Sequence, residues 1–376
     1  MPISRTIPLR SIQILRALAA TLVVVGHAFH DSIYIADKTR QPPIEFPYFD
    51  WGFGVDIFFV ISGFIMIYTT ADSFGRAGAA STFIERRFVR IAPLYWLMTG
   101  LIIVVAAIVP KYLNVPIENW RSIVTSYLFV PDIRGNGEVR PILAAGWTLN
   151  YEMFFYAIFA CCLMLPLRRG VLLLGGLFTA LAILGSTVTL PGLALPFWAN
   201  SIILEFVLGI VIGLACLSRW SLSAKTALTL TAIAILLAIA GGPIWGCNQI
   251  LPRFVCAGFP AALLVTAAAL GPALSPTRLV AALVAVGDAS YSLYLTHPFV
   301  LRPLRNIWIA LHGGSLPLGL YVIACVVVAV TGAIVIYRLI EKPLTGALQR
   351  RLRRQPKPRG EMVAVPNPAT APLSAP

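Results

Sequence analysis

The sequence predicts an all-α, polytopic membrane helix bundle with about ten transmembrane helices and both termini in the cytoplasm. Three observations lead to this fold class: the composition, the length of the apolar runs and the placement of the basic residues. Hydrophobic residues make up 58% of the 376-residue chain and charged residues only 12%, whereas a soluble globular domain carries about a quarter charged residues. Mean hydropathy is +0.84. The composition therefore argues against a soluble domain and for a chain that is solvated by lipid.

Apolar runs of near-spanning length follow one another along most of the chain. A helix needs ~20 residues to cross ~30 Å of hydrocarbon. The runs that meet this length are 11–30, 51–71, 89–110, 147–167, 171–189, 199–217, 224–241, 253–271, 280–300 and 317–340. A further apolar segment, 121–130, is too short to span and is expected to be re-entrant or interfacial.

The basic residues set the orientation. With the N-terminus inside, twenty of the 29 Lys and Arg residues fall in cytoplasmic segments and nine in outer segments. This bias follows the positive-inside rule and requires an even number of spans. A nucleic-acid-binding protein would instead cluster its basic residues on a polar surface, so nucleic acid is not expected as a partner.

The chain is expected to divide into a transmembrane domain, 1–345, and a cytoplasmic tail, 346–376. The tail is basic and then rich in Pro and Ala, a composition typical of disorder. None of the six cysteines shows CxxC or metal-ligand spacing, and most lie in apolar runs as small packing residues. Cys247 and Cys256 could pair. No ligand cluster is present, so no metal is expected.

Polar side chains inside spans are candidates for function because they are costly in lipid. Arg16 and His27 lie eleven residues apart on the first span, which corresponds to roughly 16 Å along a helix and nearly the same face. A cation near the cytoplasm and an imidazole toward the outer end suit a long anionic ligand whose reactive end reaches His27. The alternative is an interfacial arginine and an unrelated helix-end histidine.

The second span contains GVDIFFVISGF, residues 54–64. Asp56 starts this span at its outer end, at the depth of His27, where a carboxylate would raise the basicity of the imidazole and fix its tautomer. The alternative is an acid favoured by the helix dipole. Ser62 lies deeper in the same span, and Gly63 is expected to let a neighbouring helix or a ligand approach closely.

The inner mouth of the third span carries Arg87 and Arg90, three residues apart and on one face. Clustered guanidiniums suit phosphate groups, although topology and lipid headgroups also explain them. Glu152 opens the fourth span among aromatic residues and must be paired or protonated there. Tyr156, four residues on, shares its face.

The ninth span contains His297, for which a structural hydrogen bond is the favoured interpretation. The roles of His297, Asp288 and Glu205 are left open by the sequence.

Taken together and in order, these segments resemble the membrane-bound acyltransferase-3 family, especially its exopolysaccharide O-acetyltransferase-like branch. The resemblance covers residues 11 to 343. The matching pieces are Arg16 with His27, GVDIFFVISGF (54–64), RRFVRIAPLYW (86–96), WTLNYEMFFY (147–156), DASYSLYLTH (288–297) and EKP (341–343). Thr148 stands where the family motif usually has Ser, which keeps the hydroxyl.

The resemblance implies transfer of an acyl group, usually acetyl, from cytoplasmic acetyl-CoA to a hydroxyl of a cell-surface glycan. The expected acceptor is an exopolysaccharide or lipopolysaccharide O-antigen, and the expected location is the bacterial inner membrane, alongside polysaccharide-assembly proteins.

Residue by residue, Arg16 and His27 match the essential pair of the family, and Arg87 and Arg90 match its inner arginine pair at the CoA end. Glu152 matches its fourth-span acid. The predicted catalytic residues are His27 as general base or acyl carrier, Arg16, Asp56 and Glu152. The predicted CoA-binding residues are Arg87, Arg90, Arg16 and Ser62.

Two alternatives remain at this point. The first is a transporter or flippase that moves a glycan or lipid-linked acceptor, for which inverted repeats or broken helices would be expected. The second keeps the family and changes the donor, for example to succinyl-CoA.

Overall fold

A computed structural model describes residues 9–44, 49–109, 117, 119–245, 252–312 and 316–354. Within these ranges every regular element is helical, apart from one β-bridge between Ile133 and Val139. The α-helices are α1 Leu9–Thr39, α2 Phe53–Thr70, α3 Ala79–Ile108, α4 Trp120–Tyr127, α5 Trp147–Leu163, α6 Leu167–Thr187, α7 Ala194–Trp198, α8 Leu204–Leu217, α9 Ala224–Trp245, α10 Phe259–Leu270, α11 Arg278–Asp288, α12 Ser290–His312, α13 Leu318–Ile336 and α14 Lys342–Arg354. Short 3-10 turns cover Ala71–Ser73, Ala144–Gly146 and Ser201–Ile203, and π-helical turns cover Phe254–Gly258 and Tyr337–Glu341.

The multi-pass helical class is confirmed. Six helical segments in the described ranges are long and apolar enough to cross a membrane: Arg10–Thr39, Phe53–Ser73, Ala79–Ile108, Leu167–Thr187, Ala224–Gly241 and Leu318–Leu352. Two shorter apolar helices cover Ser201–Leu217 and Phe254–Leu270. Each of the ten predicted runs coincides with a helix or a helix pair, but several are shorter than a full span. The count of ten and the cytoplasmic termini therefore stay predictions.

The predicted ninth span, 280–300, differs from the structure because it is bent by 69° between α11 and α12. Gly287 explains how the end of α11 is held: a Cβ there would collide with the carbonyl oxygen of Gln13 on α1. The Gln13 amide also donates to Asp288 at 2.9 Å. The end of α11 is thus tied to α1, and α12 leaves in a new direction.

The backbones of α2 and α8 are in direct contact at two glycines. A Cβ on Gly63 would collide with the carbonyl oxygen of Phe206, and one on Gly209 with the carbonyl oxygen of Val60. The prediction that Gly63 admits a neighbouring helix is confirmed. Above this contact the rings of Phe59 and Phe206 pack 4.7 Å apart, so α2 is buried at the centre of the bundle.

Both ends of the predicted membrane domain differ in detail from expectation. Helix α1 continues to Thr39, beyond the predicted end at residue 30. At the other end α14 extends to Arg354, so residues 346–354 of the predicted disordered tail are helical. They carry a basic, amphipathic sequence that forms a helix readily. The remainder of that tail, 355–376, lies outside the described residues.

Candidate active site

A cavity of about 150 Å³ with both apolar and polar lining residues lies between α1, α2, α3, α5 and α12. It brings together five residues that the sequence analysis singled out from four separate segments. These are Arg16, Ser62, Arg87, Arg90 and Glu152. Five further side chains with hydroxyl groups also line the cavity: Thr148, Tyr156, Ser290, Tyr291 and Tyr294. We call this space the inner cavity.

Glu152 is hydrogen-bonded, as its position in a span requires. Ser62 donates to Oε1 of Glu152 at 3.1 Å, and the Tyr156 hydroxyl donates to the same oxygen. Ser62 is on α2 and Tyr156 is one turn along α5. The carboxylate therefore connects two walls of the inner cavity.

Arg90 has an ion-pair partner that the sequence analysis did not identify. Its guanidinium pairs with Glu341, whose side chain is 1% exposed while that of Arg90 is 31% exposed. Ser292 also donates to Glu341, at 2.6 Å. The Arg90 guanidinium lies 5.8 Å from the ring centroid of Tyr291. Glu341 belongs to the EKP segment, and only the fold shows that it faces Arg90.

The other two arginines of the inner cavity have weaker partners. Arg87 donates to Thr69 at 3.3 Å and lies 5.6 Å from the ring centroid of Phe83, while its Nε is buried without a partner. Arg16 donates to Gln13 at 3.3 Å. Within the described ranges neither Arg16 nor Arg87 forms an ion pair. Three guanidiniums therefore face two carboxylates here, which leaves positive charge for an anionic ligand.

His27 lies outside the inner cavity, in the C-terminal half of α1, and its side chain is exposed. Its Nδ1 is 2.8 Å from the carbonyl oxygen of Val23. Because a carbonyl oxygen can only accept, Nδ1 carries the proton and Nε2 carries the lone pair. The backbone thus orients the imidazole.

Tyr294 and His297 occupy the space between the inner cavity and His27. Tyr294 lines the cavity, and its ring lies 6.3 Å from that of His297. The ring of His297 in turn lies 4.8 Å from that of His27. Tyr294 is held by Ala145 and Thr148, each 3.0 Å from its hydroxyl. The two predicted ends of the ligand path, Arg16 and His27, are therefore connected through α12.

His297 is 1% exposed, and its Nδ1 lies 3.3 Å from the carbonyl oxygen of Leu293. This is the structural hydrogen bond that was expected. The contact of His297 with His27 was not predicted from the sequence. The sequence did contain a sign of this contact. The chain has only four histidines, and two of them, His27 and His297, lie near the predicted outer ends of their spans.

Asp56 does not pair with His27 as expected; the structure pairs it with Arg253 instead. Both carboxylate oxygens accept from this guanidinium, at 2.9 and 2.6 Å, and Arg253 also reaches Asp50 at 2.6 Å. Glu205 is fully buried near Asp56, and neither of its carboxylate oxygens has a hydrogen-bond partner among the described residues. Asp56 therefore faces α8 and the turn before α10 rather than His27.

A second cavity, of about 230 Å³, lies next to this charge cluster; we call it the outer cavity. Its lining residues stand at or near the N-terminal ends of α2, α5, the turn before α8 and the turn before α10. They are Gly52, Val55, Trp147, Tyr151, Asn200, Ile202 and Arg253. Val55 lines both cavities. The positive ends of several helix dipoles converge here and favour the carboxylates of Asp50, Asp56 and Glu205.

A multi-pass helical bundle with a guanidinium-lined cavity, one wall of which packs on a histidine pair, is suited to handling an anionic carrier molecule within a membrane. Comparison with known proteins supports this class and identifies the family. The family model described as "Acyltransferase domain", of the acyltransferase-3 type, matches residues 9–338. The chain therefore belongs to the acyltransferase-3 family, as its sequence segments indicated.

Two curated proteins are similar to the chain over most of its length. The exopolysaccharide production protein ExoZ of Rhizobium meliloti (strain 1021) is 33% identical over 292 residues, which are 77% of this chain and 88% of ExoZ. The acyltransferase MdmB of Streptomyces mycarofaciens is 27% identical over 97% of each chain. No solved structure matches.

The protein is thus a membrane acyltransferase, and these comparisons favour acyl transfer over the transporter alternative. The described residues contain no group of three or more metal-ligating side chains.

Proposed function

We propose that this protein transfers an acetyl group from cytoplasmic acetyl-CoA to a hydroxyl of a cell-surface glycan. The observation that carries the proposal is the succession of ring contacts that joins the arginine-lined inner cavity, through Tyr294 and His297, to His27. The donor would enter where the guanidiniums lie and present its thioester at the histidine.

The charge of the inner cavity supports a CoA donor. CoA carries several phosphates, and guanidiniums bind phosphate oxygens in charge-assisted, often bidentate, hydrogen bonds. Arg16 and Arg87 have no ion-pair partner in the described ranges and would take this role first. Arg90 would contribute while remaining paired with Glu341. Ser62 and Glu152 would bind the pantetheine amides or hold the arginines in place.

The tautomer of His27 supports its role as general base. Its Nε2 would take the proton of the acceptor hydroxyl while the oxygen attacks the thioester carbon. The C–S bond then breaks, and the CoA thiolate receives a proton. A positioned base contributes roughly 10²–10⁴-fold to such a step. The alternative is transient acylation of His27 at Nε2, followed by transfer to the acceptor.

Asp56 has a different role in this proposal from the one expected. The carbonyl of Val23 holds the His27 imidazole, which was the task assigned to the carboxylate. Asp56 instead fixes Arg253 at the edge of the outer cavity.

The outer cavity is suited to the acceptor. Trp147 and Tyr151 offer aromatic faces against which a sugar ring can pack, and Asn200 and Arg253 offer hydrogen-bond donors for hydroxyls. The guanidinium of Arg253 is already neutralised by Asp50 and Asp56, which favours an uncharged sugar. The relative ExoZ is named for exopolysaccharide production, and this favours an exopolysaccharide over O-antigen.

The proposed orientation has ten spans in a bacterial inner membrane with both termini in the cytoplasm. The shared outer cavity supports it, because the N-terminal ends of α2 and α5 must then lie on one side. Gly26, beside His27, packs against Trp51 just before α2, which puts His27 on that side too. Cys256 is disulfide-bonded, which fits an oxidising outer compartment. Cys247, the partner considered from the sequence, lies outside the described residues.

The test is transfer of labelled acetyl from acetyl-CoA to purified glycan by the purified protein. We expect the wild type to label the glycan and His27→Ala to lose at least about 100-fold of that rate. His30→Ala, one turn further along α1, is the matched control and should keep activity. Labelling by His27→Ala at the wild-type rate would overturn the role of His27. Faster transfer from succinyl-CoA than from acetyl-CoA would overturn the choice of donor.

A further inference from the structure

A second imidazole, that of His297, lies buried against His27. The ring centroids are 4.8 Å apart and the planes are inclined by 56°. His297 is 1% exposed, whereas His27 is exposed. The pair therefore has an outer member that an acceptor can reach and an inner member that it cannot.

In both imidazole rings the basic nitrogen is Nε2. Each Nδ1 faces a backbone carbonyl oxygen, that of Val23 for His27 and that of Leu293 for His297. A carbonyl oxygen only accepts, so each Nδ1 carries a proton and each Nε2 carries a lone pair. In the part of the chain that the structure describes, Nε2 of His297 is buried and has no hydrogen-bond partner.

A buried acceptor without a donor is costly, and such groups call for an explanation. The lone pair on Nε2 of His297 can accept a proton or a hydrogen bond. During the proposed reaction two groups could supply it. One is His27, with the proton that it takes from the acceptor. The other is the thiol of CoA, whose sulfur would leave from the thioester held at the histidine pair.

In the proposed reaction the proton is released at one place and needed at another: the acceptor hydroxyl gives it up, and the CoA thiolate must receive it. The acceptor loses its proton on the outer side, at His27, while the thiolate is released toward the inner cavity. Tyr294 lines that cavity and packs on His297. From outside to inside the order is therefore His27, His297, Tyr294, inner cavity.

We propose that His297 relays the proton of the acceptor hydroxyl from His27 to the CoA thiolate. This inference rests on the proposed function and adds a residue to it. Nε2 of His27 takes the hydroxyl proton as the C–O bond forms and the C–S bond breaks. The proton then passes to Nε2 of His297, and His297 passes it to the sulfur, which leaves as CoA–SH. Both imidazoles end neutral, as they began.

Changing the leaving group distinguishes a proton relay by His297 from a purely structural role of that residue. A selenol is a more acidic leaving group than a thiol and depends less on protonation as it departs. His297→Gln should therefore lose on the order of 10²-fold in rate with acetyl-CoA. With the selenoester analogue of acetyl-CoA we expect most of that loss to be recovered.

The controls separate the relay from the proposed function. His27→Ala should be impaired with both donors, because the acceptor still needs a base. His30→Gln should be unimpaired with both, and acetyl-CoA binding by His297→Gln should match the wild type. Equal losses of His297→Gln with the two donors, or no loss with either, would overturn the relay. Absence of transfer by the wild type with either donor would instead overturn the proposed function.

A second measurement covers the case in which His297→Gln does not fold. The wild-type rate in heavy water should fall more with the thioester than with the selenoester, because only the thioester step depends strongly on the relayed proton. Equal solvent isotope effects with the two donors would contradict the relay.

Discussion

Arg90 and Arg87 provide a matched pair of perturbations, since both lie on α3 and line the inner cavity but only Arg90 is ion-paired. Arg90→Met removes the charged partner of Glu341, which is 1% exposed and, among the described residues, is left with the hydrogen bond from Ser292. Leaving a buried charge uncompensated costs about 3–5 kcal/mol. Because the Arg90 side chain is 31% exposed, we expect a loss of stability in the lower half of that range.

Arg87→Met should behave differently because it breaks no ion pair in the described residues. It loses the hydrogen bond to Thr69 and the contact with Phe83, each worth about 1 kcal/mol or less. Both variants remove a donor to phosphate, worth about 1.5–3 kcal/mol. The KM for acetyl-CoA should therefore rise by roughly 10–100-fold in each.

The assay combines thermal or denaturant unfolding in detergent with acetyl-CoA kinetics. The double variant Arg90→Met/Glu341→Gln should regain most of the lost stability, because no unpaired charge is left, but it should keep the raised KM. The reasoning is refuted if Arg90→Met and Arg87→Met are equally stable, or if the double variant is no more stable than Arg90→Met.

Three further predictions concern α2 and the outer cavity. Arg253→Met leaves Asp56 buried and unpaired, so the free energy of unfolding should fall by about 3–5 kcal/mol. Adding Asp56→Asn should restore much of this loss, and unfolding in detergent that shows no such recovery would contradict the pairing. Gly63→Ala places a methyl against the backbone of α8 and should cost at least about 1–3 kcal/mol. Gly176→Ala, in α6 with nothing within 4 Å of its Cβ, should cause no loss of stability in the same unfolding measurement, because Ala has the higher helix propensity. Trp147→Ala should raise the KM for the glycan several-fold and leave the KM for acetyl-CoA unchanged; the reverse pattern in steady-state kinetics would remove the outer cavity as the acceptor site.

The helices and five polar residues of the inner cavity could be predicted from the sequence. Apolar runs show where spans lie, and polar residues within them are few enough to be candidates by cost alone. Arg16, Ser62, Arg87, Arg90 and Glu152 were all identified in this way, although they come from four segments.

The pairings could not be predicted in the same way. Arg90 and Glu341 are 251 residues apart, and Asp56 and Arg253 are 197 apart. The depth of a residue in the membrane can be estimated from the number of residues between it and the end of its predicted span. This estimate placed Asp56 at the same depth as His27. The direction in which a helix face points depends on packing, and contacts such as that of Gly63 with α8 are set by the whole bundle.

The bend between α11 and α12 escaped sequence analysis for a similar reason. The run 280–300 contains Gly287 and Asp288, but its length and apolar composition are those of a single span. At the bend Gly287 contacts the backbone of α1, and α12 then carries Tyr294 and His297 to the site.

Sidedness of the reaction tests the central claim most directly, since the inner cavity is proposed to take the donor from the cytoplasm and His27 to deliver it outside. Inverted inner-membrane vesicles carry the cytoplasmic face outward and can enclose the glycan. Labelled acetyl-CoA added outside these vesicles should acetylate the enclosed glycan, and vesicles with His27→Ala should not. Acetylation of glycan added only to the outside, with none of the enclosed glycan labelled, would contradict the account.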